Sequence, residues 1–206
     1  IKNLEQEELQ KEAENRLNIV ELRFSALADS VAKTAASSLS INSLIDISMS
    51  SSYFQFALED LTYNTDITRA AVFNYSGELL VTSHGEKASW FSRDLVSSTI
   101  ASGKESIFLG KQYLYIIEPI NYFQTTQGGI IAQVDIQQLV KKSLSNEISF
   151  YSLTLSNNWK DSTMPKGFKG LKQTALLKKK SRLEKYKPTL TVAKSSSYLL
   201  ERITPW

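Results

Sequence analysis

Apolar residues near the start of the chain fall at Leu9, Ala13, Leu17, Val20, Phe24, Leu27, Val31 and Ala35. The steps are three or four residues, which is the period of a single helical stripe. Neither Gly nor Pro interrupts the stretch, and the good helix formers Leu, Glu, Lys, Gln and Ala dominate it. Residues 1 to about 39 are therefore expected to form one long helix, about 60 Å from end to end. The stripe reads equally as a coiled-coil seam or as a core face. Farther on, Ser52-x-x-Gln55 ahead of Phe56, Ala57, Leu58 and Leu61 reads as a capping box opening a short helix, with Asn64 as its stop.

The period then shortens to that of strands. Arg69 to Tyr75, a Ser76-Gly77 turn and Glu78 to Thr82 read as a hairpin that ends at His84-Gly85. Trp90 to Ala101 reads as a helix closed by Gly103. Three strands follow, at Glu105 to Leu109, Gln112 to Ile120 and Gly128 to Asp135. They are joined by a tight turn at Gly110-Lys111 and a longer polar connection over Tyr122 to Gln127. Ile136 to Leu144 reads as a helix leaving the sheet. The short links predict an antiparallel sheet covered by helices. Beyond it, Ile148 to Leu155, Thr174 to Leu183 and Thr189 to Lys194 read as strands of a second, smaller unit. Asn157-Asn158 reads as a turn, and residues 160 to 172 as a loop because of Pro165, Gly167 and Gly170. Tyr198 to Ile203 looks like a helix start. The fold class expected is α+β, with residues 1–50 as helix and connection, 51–145 as a first sheet unit and 146–206 as a second.

Composition narrows the chemistry. The 206 residues include no Cys and one His, so disulfides, thiolate metal sites and cysteine nucleophiles are excluded and a His-based centre has little to build on. Net charge is +3, which gives no global argument for nucleic acid. Residues 160 to 187 hold ten Lys or Arg against Asp161 and Glu184. That run reads first as solvated strand edges, then as a face toward an anionic membrane, and last as a nucleic-acid site. No window is long and apolar enough to span a bilayer. The chain starts at Ile1 and stops at Trp206 within helical patterns, so it is expected to be a piece of a longer protein. His84 stands alone in a turn. Glu59-Asp60 face different directions on a helix and suggest no acid–base pair. No Gly-rich phosphate loop is present, since Gly128-Gly129 precedes a strand. No cofactor, metal or catalytic residue is expected, and the chain is not expected to be an enzyme.

The middle of the chain resembles the Cache family, the PAS-like extracytoplasmic sensor domains of bacterial receptors. Trp90-Phe91 is similar to the aromatic pair that opens the family's helix after its first hairpin. Ser102-Gly103-Lys104 with Ile107-Phe108, Tyr115-Ile-Ile-Glu-Pro-Ile120 and Gly128-Gly129-Ile-Ile-Ala-Gln-Val-Asp-Ile136 resemble its later turn and strands. The resemblance is close over residues 66 to 144 and follows the double-Cache order over 1 to 200. It implies two stacked PAS-like units, a membrane-distal sensor and a smaller membrane-proximal coupling module. It also implies a periplasmic location in an inner-membrane receptor. Amino-acid-binding members carry an arginine where this chain has Ala88 and a tyrosine where it has Ser83. Asp135 matches their amine-binding acid.

A small-molecule pocket needs aromatic walls and a few fixed polar groups. The candidate ligand-binding residues are Phe73, Trp90, Phe91, Tyr113, Tyr115 and Asp135, with Tyr53 beside them, and with Arg69 and Lys87 for an anionic group. Each also has an ordinary reading: core aromatics, solvated charges, and for Asp135 a helix N-cap. Tyr113 and Tyr115 share a sheet face. The function expected is ligand sensing in a histidine kinase, diguanylate cyclase or chemoreceptor, with packing changes passed to flanking transmembrane helices. The partners expected are a small-molecule ligand, a second copy joined along Leu17, Val20, Phe24, Leu27 and Val31, and the membrane, with no nucleic acid. The alternatives are a structural or dimerisation module that binds no ligand, and a cytosolic PAS-type regulatory domain.

Overall fold

The structure is a computed structural model that describes residues 2–63, 65–85, 88–144, 150–156, 159–177 and 181–195. Asn64, Lys87, Asn157-Asn158, Lys178-Lys179-Lys180 and the helix start expected at Tyr198 lie outside the described residues. The fold is α+β. Helix α1 runs Lys2–Ala35, followed by α2 Ser38–Ile45 and α3 Ile47–Thr62. Then come β1 Ile67–Asn74, β2 Leu79–Thr82, α4 Arg93–Ser102, β3 Ser106–Leu109, β4 Tyr113–Tyr122, β5 Thr125–Asp135 and α5 Ile136–Leu144. The chain continues with β6 Phe150–Leu155, β7 Trp159–Ser162, β8 Gly170–Leu176, a 3-10 turn Glu184–Tyr186 and β9 Thr189–Ser195. It divides into two compact units. Unit 1 comprises Ile1–Arg23 with Leu139–Trp206, and unit 2 comprises Phe24–Gln138.

Unit 2 is built on a five-stranded antiparallel sheet in the order β2-β1-β5-β4-β3. The central strand β5 is buried without a break from Gly128 to Asp135. A strand covered on both faces reads as a nearly continuous apolar run, which this one does. On one face, α4 packs Val96 against Ala71, Phe73, Ile117 and Ile131. On the other lie α2 and α3, with Leu44 of α2 against Gly128. Gly129 is required by closeness. A Cβ there would stand 2.5 Å from Phe73 Cζ and collide with the Glu118 carbonyl.

Unit 1 has a four-stranded antiparallel sheet in the order β7-β6-β9-β8. Its core takes Tyr151, Leu153, Leu155, Ala175, Leu190 and Val192 from the strands, and Leu9, Ala13, Leu17 and Val20 from α1. Buried Arg16 of α1 donates to the Leu144 carbonyl at 3.3 Å and pairs with Glu12 at 2.9 Å, and Glu12 in turn meets Lys194 at 3.1 Å. Arg23 donates to the Lys142 carbonyl. The last carbonyls of α5 are thus held by cations, as the helix dipole favours. Lys160, Lys166, Lys169, Lys172, Lys185 and Lys187 are all exposed, the solvated reading of the basic run.

Several elements differ from the sequence reading. The long helix stops at Ala35, because Ser37 leaves the helical conformation and its Oγ accepts from Ser40 N at 3.1 Å, starting α2. The α1 stripe is no dimer seam. Leu17, Val20, Phe24, Leu27 and Val31 are all buried within this single chain, so the face is already spent on the chain's own core. Ser52 opens nothing, since α3 begins at Ile47; Gln55 instead donates to Glu59 and to the Ser83 carbonyl. Trp90 and Phe91 precede α4, whose N-cap is Ser92. The polar connection after Tyr122 is a two-residue turn, Phe123-Gln124, with both φ angles positive. The second sheet has four strands, because β7 occupies part of the expected loop and pairs Lys160 with Thr154.

Candidate functional site

Strand register decides which side chains meet. In an antiparallel pair, residues directly opposite each other share a face. Tyr113 stands opposite Asp135, Tyr115 opposite Gln133, and Ile117 opposite Ile131. Across β1, Arg69 stands opposite Gln133, Ala71 opposite Ile131 and Phe73 opposite Gly129. Arg69, Phe73, Tyr113, Tyr115, Gln133 and Asp135 therefore all lie on the α4 face of the sheet. The Trp90-Phe91 segment covers the same face: both residues pack on the cluster of Ala71, Phe73, Val96, Ile117 and Ile131, as does Tyr115. Seven of the nine candidate residues thus share this face; Tyr53 does not, and Lys87 lies outside the described residues.

The face changes character along its length. Under α4 it is closed. Phe73 is wholly buried and backs Phe91 with ring centroids 6.3 Å apart, while Trp90 meets Phe91 edge to face at 6.4 Å. Toward the C-terminal end of β5 it turns polar. Gln133 is 2% exposed, its Nε2 donates to Tyr115 Oη at 3.3 Å, and its Oε1 accepts from Thr68 at 3.4 Å. Asp135 accepts the Gln138 backbone N–H at 3.0 Å through Oδ1, which caps α5 and leaves Oδ2 outside that bond. Tyr113, Tyr115 and Arg69 are half-buried, and Arg69 is engaged within the chain. Buried polar atoms nearly always have partners. Here Trp90 Nε1 and Thr99 Oγ1 of α4 are buried and have none. An indole N–H, tyrosine hydroxyls and a carboxylate spread along one sheet face are groups that suit a small molecule with an acceptor group and a cationic end.

Two residues part from the expectation in an informative way. Tyr53 belongs elsewhere, since its Oη bonds Ser37 Oγ at 3.0 Å, joining α3 to the N-cap of α2. Ser83 is consumed by the ladder: its Oγ accepts from Ala70 N and its own N–H donates to Ala70 O. The sequence reading missed Gln133 and Thr99. The signal for Gln133 was present, as a lone polar residue inside a buried apolar strand. Among the described residues no group of three or more His, Asp or Glu is placed to hold a metal, and no helix is long and apolar enough to cross a membrane.

No family model matches the chain, and no curated protein matches it either. Solved structures do. The ligand-binding domain of the Pseudomonas fluorescens chemoreceptor CtaA, in complex with L-serine, aligns over 96% of this chain and 100% of its own, with TM-score 0.69 and 11% identity. The sensor domain of the Vibrio cholerae histidine kinase DctB aligns over 93% and 99%, with TM-score 0.60 and 13% identity. The ligand-binding domain of the Pseudomonas aeruginosa amino acid chemoreceptor PctB, in complex with L-Gln, aligns over 95% and 93%, with TM-score 0.60 and 12% identity. The fold of this chain is the one these sensor domains share.

Proposed function

We propose that the chain is the extracytoplasmic sensor region of a membrane-anchored bacterial signalling protein, and that it binds a small ligand on the α4 face of the unit 2 sheet. The observation that carries this reading is the convergence of Trp90, Phe91, Tyr113, Tyr115, Gln133 and Asp135 on one face, with an unpartnered indole N–H among them. The ligand is a compact molecule with an amino group for Asp135 and an acceptor for Trp90. Ala88 and Ser83 stand where amino-acid-binding relatives place carboxylate partners, so the ligand class extends to amines without a carboxylate. The mechanism is non-covalent: the ligand favours one packing of α4 and its loop over another, by the difference in its affinity for the two. The parent protein works as a homodimer, with apolar membrane spans flanking this region and a kinase, cyclase or chemoreceptor output beyond them.

The test is a thermal-shift screen of amines, amino acids and small amides, with native mass spectrometry for a co-purifying molecule. A hit is expected to raise the melting temperature of the wild-type chain and to lose at least about tenfold in affinity in Asp135→Asn, the size of one lost charge-assisted hydrogen bond. No hit and no co-purifying molecule would sink the ligand reading. A second reading, a non-binding structural module, is favoured by the packed Phe73–Phe91 end of the same face. It expects identical α4 packing with and without every compound tested.

A further inference from the structure

On the side of the unit 2 sheet that α3 covers, the end of α1 and the middle of α3 leave a cleft of about 520 Å³ between them. Ala57 and Leu61, both buried, line it. Lys33 of α1 and Asp60 of α3 also line it, and neither forms an ion pair among the described residues. Phe56 lines it while 71% exposed, and Tyr63, one residue past the end of α3 with its N–H on the Glu59 carbonyl, is 72% exposed. Phe56 and Asp60 are spaced i and i+4 on one face of α3, and Tyr63, held to the Glu59 carbonyl, continues that line at i+7. A single exposed aromatic is ordinary. Two along one helical line, bracketing a carboxylate beside a cleft that offers Ala57 and Leu61 among Ser30, Thr34, Ser37 and Thr65, make a patch suited to a partner.

We propose that this patch is the interface for a second copy of the chain. The argument is charge. The patch carries a cation on α1 and an anion on α3, and a two-fold axis through it brings each against its opposite on the other copy. Phe56 of each protomer enters the cleft of the other against Ala57 and Leu61, and Tyr63 closes the rim. Aromatic anchors in a pocket with charges around them are the usual energetic centre of an interface. The proposal rests on the receptor reading for the existence of a pair, and adds the surface. It also replaces the α1 stripe, whose Leu27 and Val31 are buried in the chain's own core.

Sedimentation velocity on the 206-residue chain, over roughly 1 µM to 1 mM, tests it. A concentration-dependent dimer is expected. Phe56→Glu is expected to weaken it at least about 30-fold, the effect of losing one anchor. Lys33→Asp and Asp60→Lys are each expected to weaken it about tenfold, and the double swap to restore it, because the swapped pairs again oppose. All these side chains are exposed, so circular dichroism melts should match wild type and show that each variant folds. A dimer indifferent to Phe56→Glu, or a double swap weaker than either single, overturns this surface and leaves the homodimer standing. A monomer throughout overturns both. Ligand binding, read separately by thermal shift, is unaffected by either result.

Discussion

Asp135 serves a helix and faces a candidate ligand at once, and its two oxygens separate the roles. Asp135→Ala removes the cap and is expected to cost about 1 kcal/mol of stability, measured by urea unfolding. Asp135→Asn keeps a capping oxygen, so it should hold most of that stability while losing affinity for a cationic ligand. Tyr151 supplies a different test. Its hydroxyl donates to Asp161 at 2.9 Å, and burial, then the bond to Asp161 and its negative charge, push the Tyr151 pKa from 10.0 up to about 12. The folded chain therefore keeps a proton there that the unfolded chain has released. The resulting stability is fully present below pH 10 and is lost as pH rises toward 12. Tyr151→Phe should flatten the fall in melting temperature over that window; an unchanged profile would place the alkaline loss elsewhere. The cap role of Asp135 was legible from a lone acid at a strand-to-helix junction. The Gln133 network was not, because a strand buried on both faces gives no alternation to say which side a residue takes.

The β4–β5 hairpin turns on Phe123 and Gln124 at φ of 45° and 65°. Two-residue hairpin turns of this kind favour Asn-Gly, because most side chains are strained at positive φ. Replacing the pair by Asn-Gly is expected to add about 1 kcal/mol, seen as a melting temperature higher by about 2–4 °C. Gly129→Ala should do the reverse and cost about 2 kcal/mol or more, since its new methyl has the Glu118 carbonyl and the Phe73 ring in its way. The same hairpin explains a misreading. With no Gly or Asn to mark it, Phe-Gln-Thr-Thr-Gln looked like a polar loop. Strand β7 was lost for a related reason: Trp159 to Ser162 sits at a sheet edge, where polar side chains are tolerated and apolar alternation fades. Strands β1, β2, β3 and β9 and helix α5 were legible almost to the residue, because apolar period and Gly turns agreed there.

Taken whole, the chain spends its strongest sequence signal, the α1 stripe, on itself. Phe24→Ala is expected to destabilise by about 3–5 kcal/mol in urea unfolding while leaving sedimentation of the folded chain unchanged, since Phe24 is wholly buried. From periodicity alone a seam and a core face look the same; only the sheets supplied from far along the chain distinguish them. That separation in sequence has a kinetic side. Unit 2 is one continuous stretch, but unit 1 joins Ile1–Arg23 to Leu139–Trp206, and its Arg16–Leu144 hydrogen bond spans 128 residues. Closing so long a loop is slow compared with local contacts. During synthesis Leu9, Ala13, Leu17 and Val20 emerge first and wait for strands made last. Their greasy stripe is bare in that interval, so chaperone dependence and aggregation before unit 1 closes should track the front of α1, whereas unit 2 needs nothing beyond Gln138 to fold.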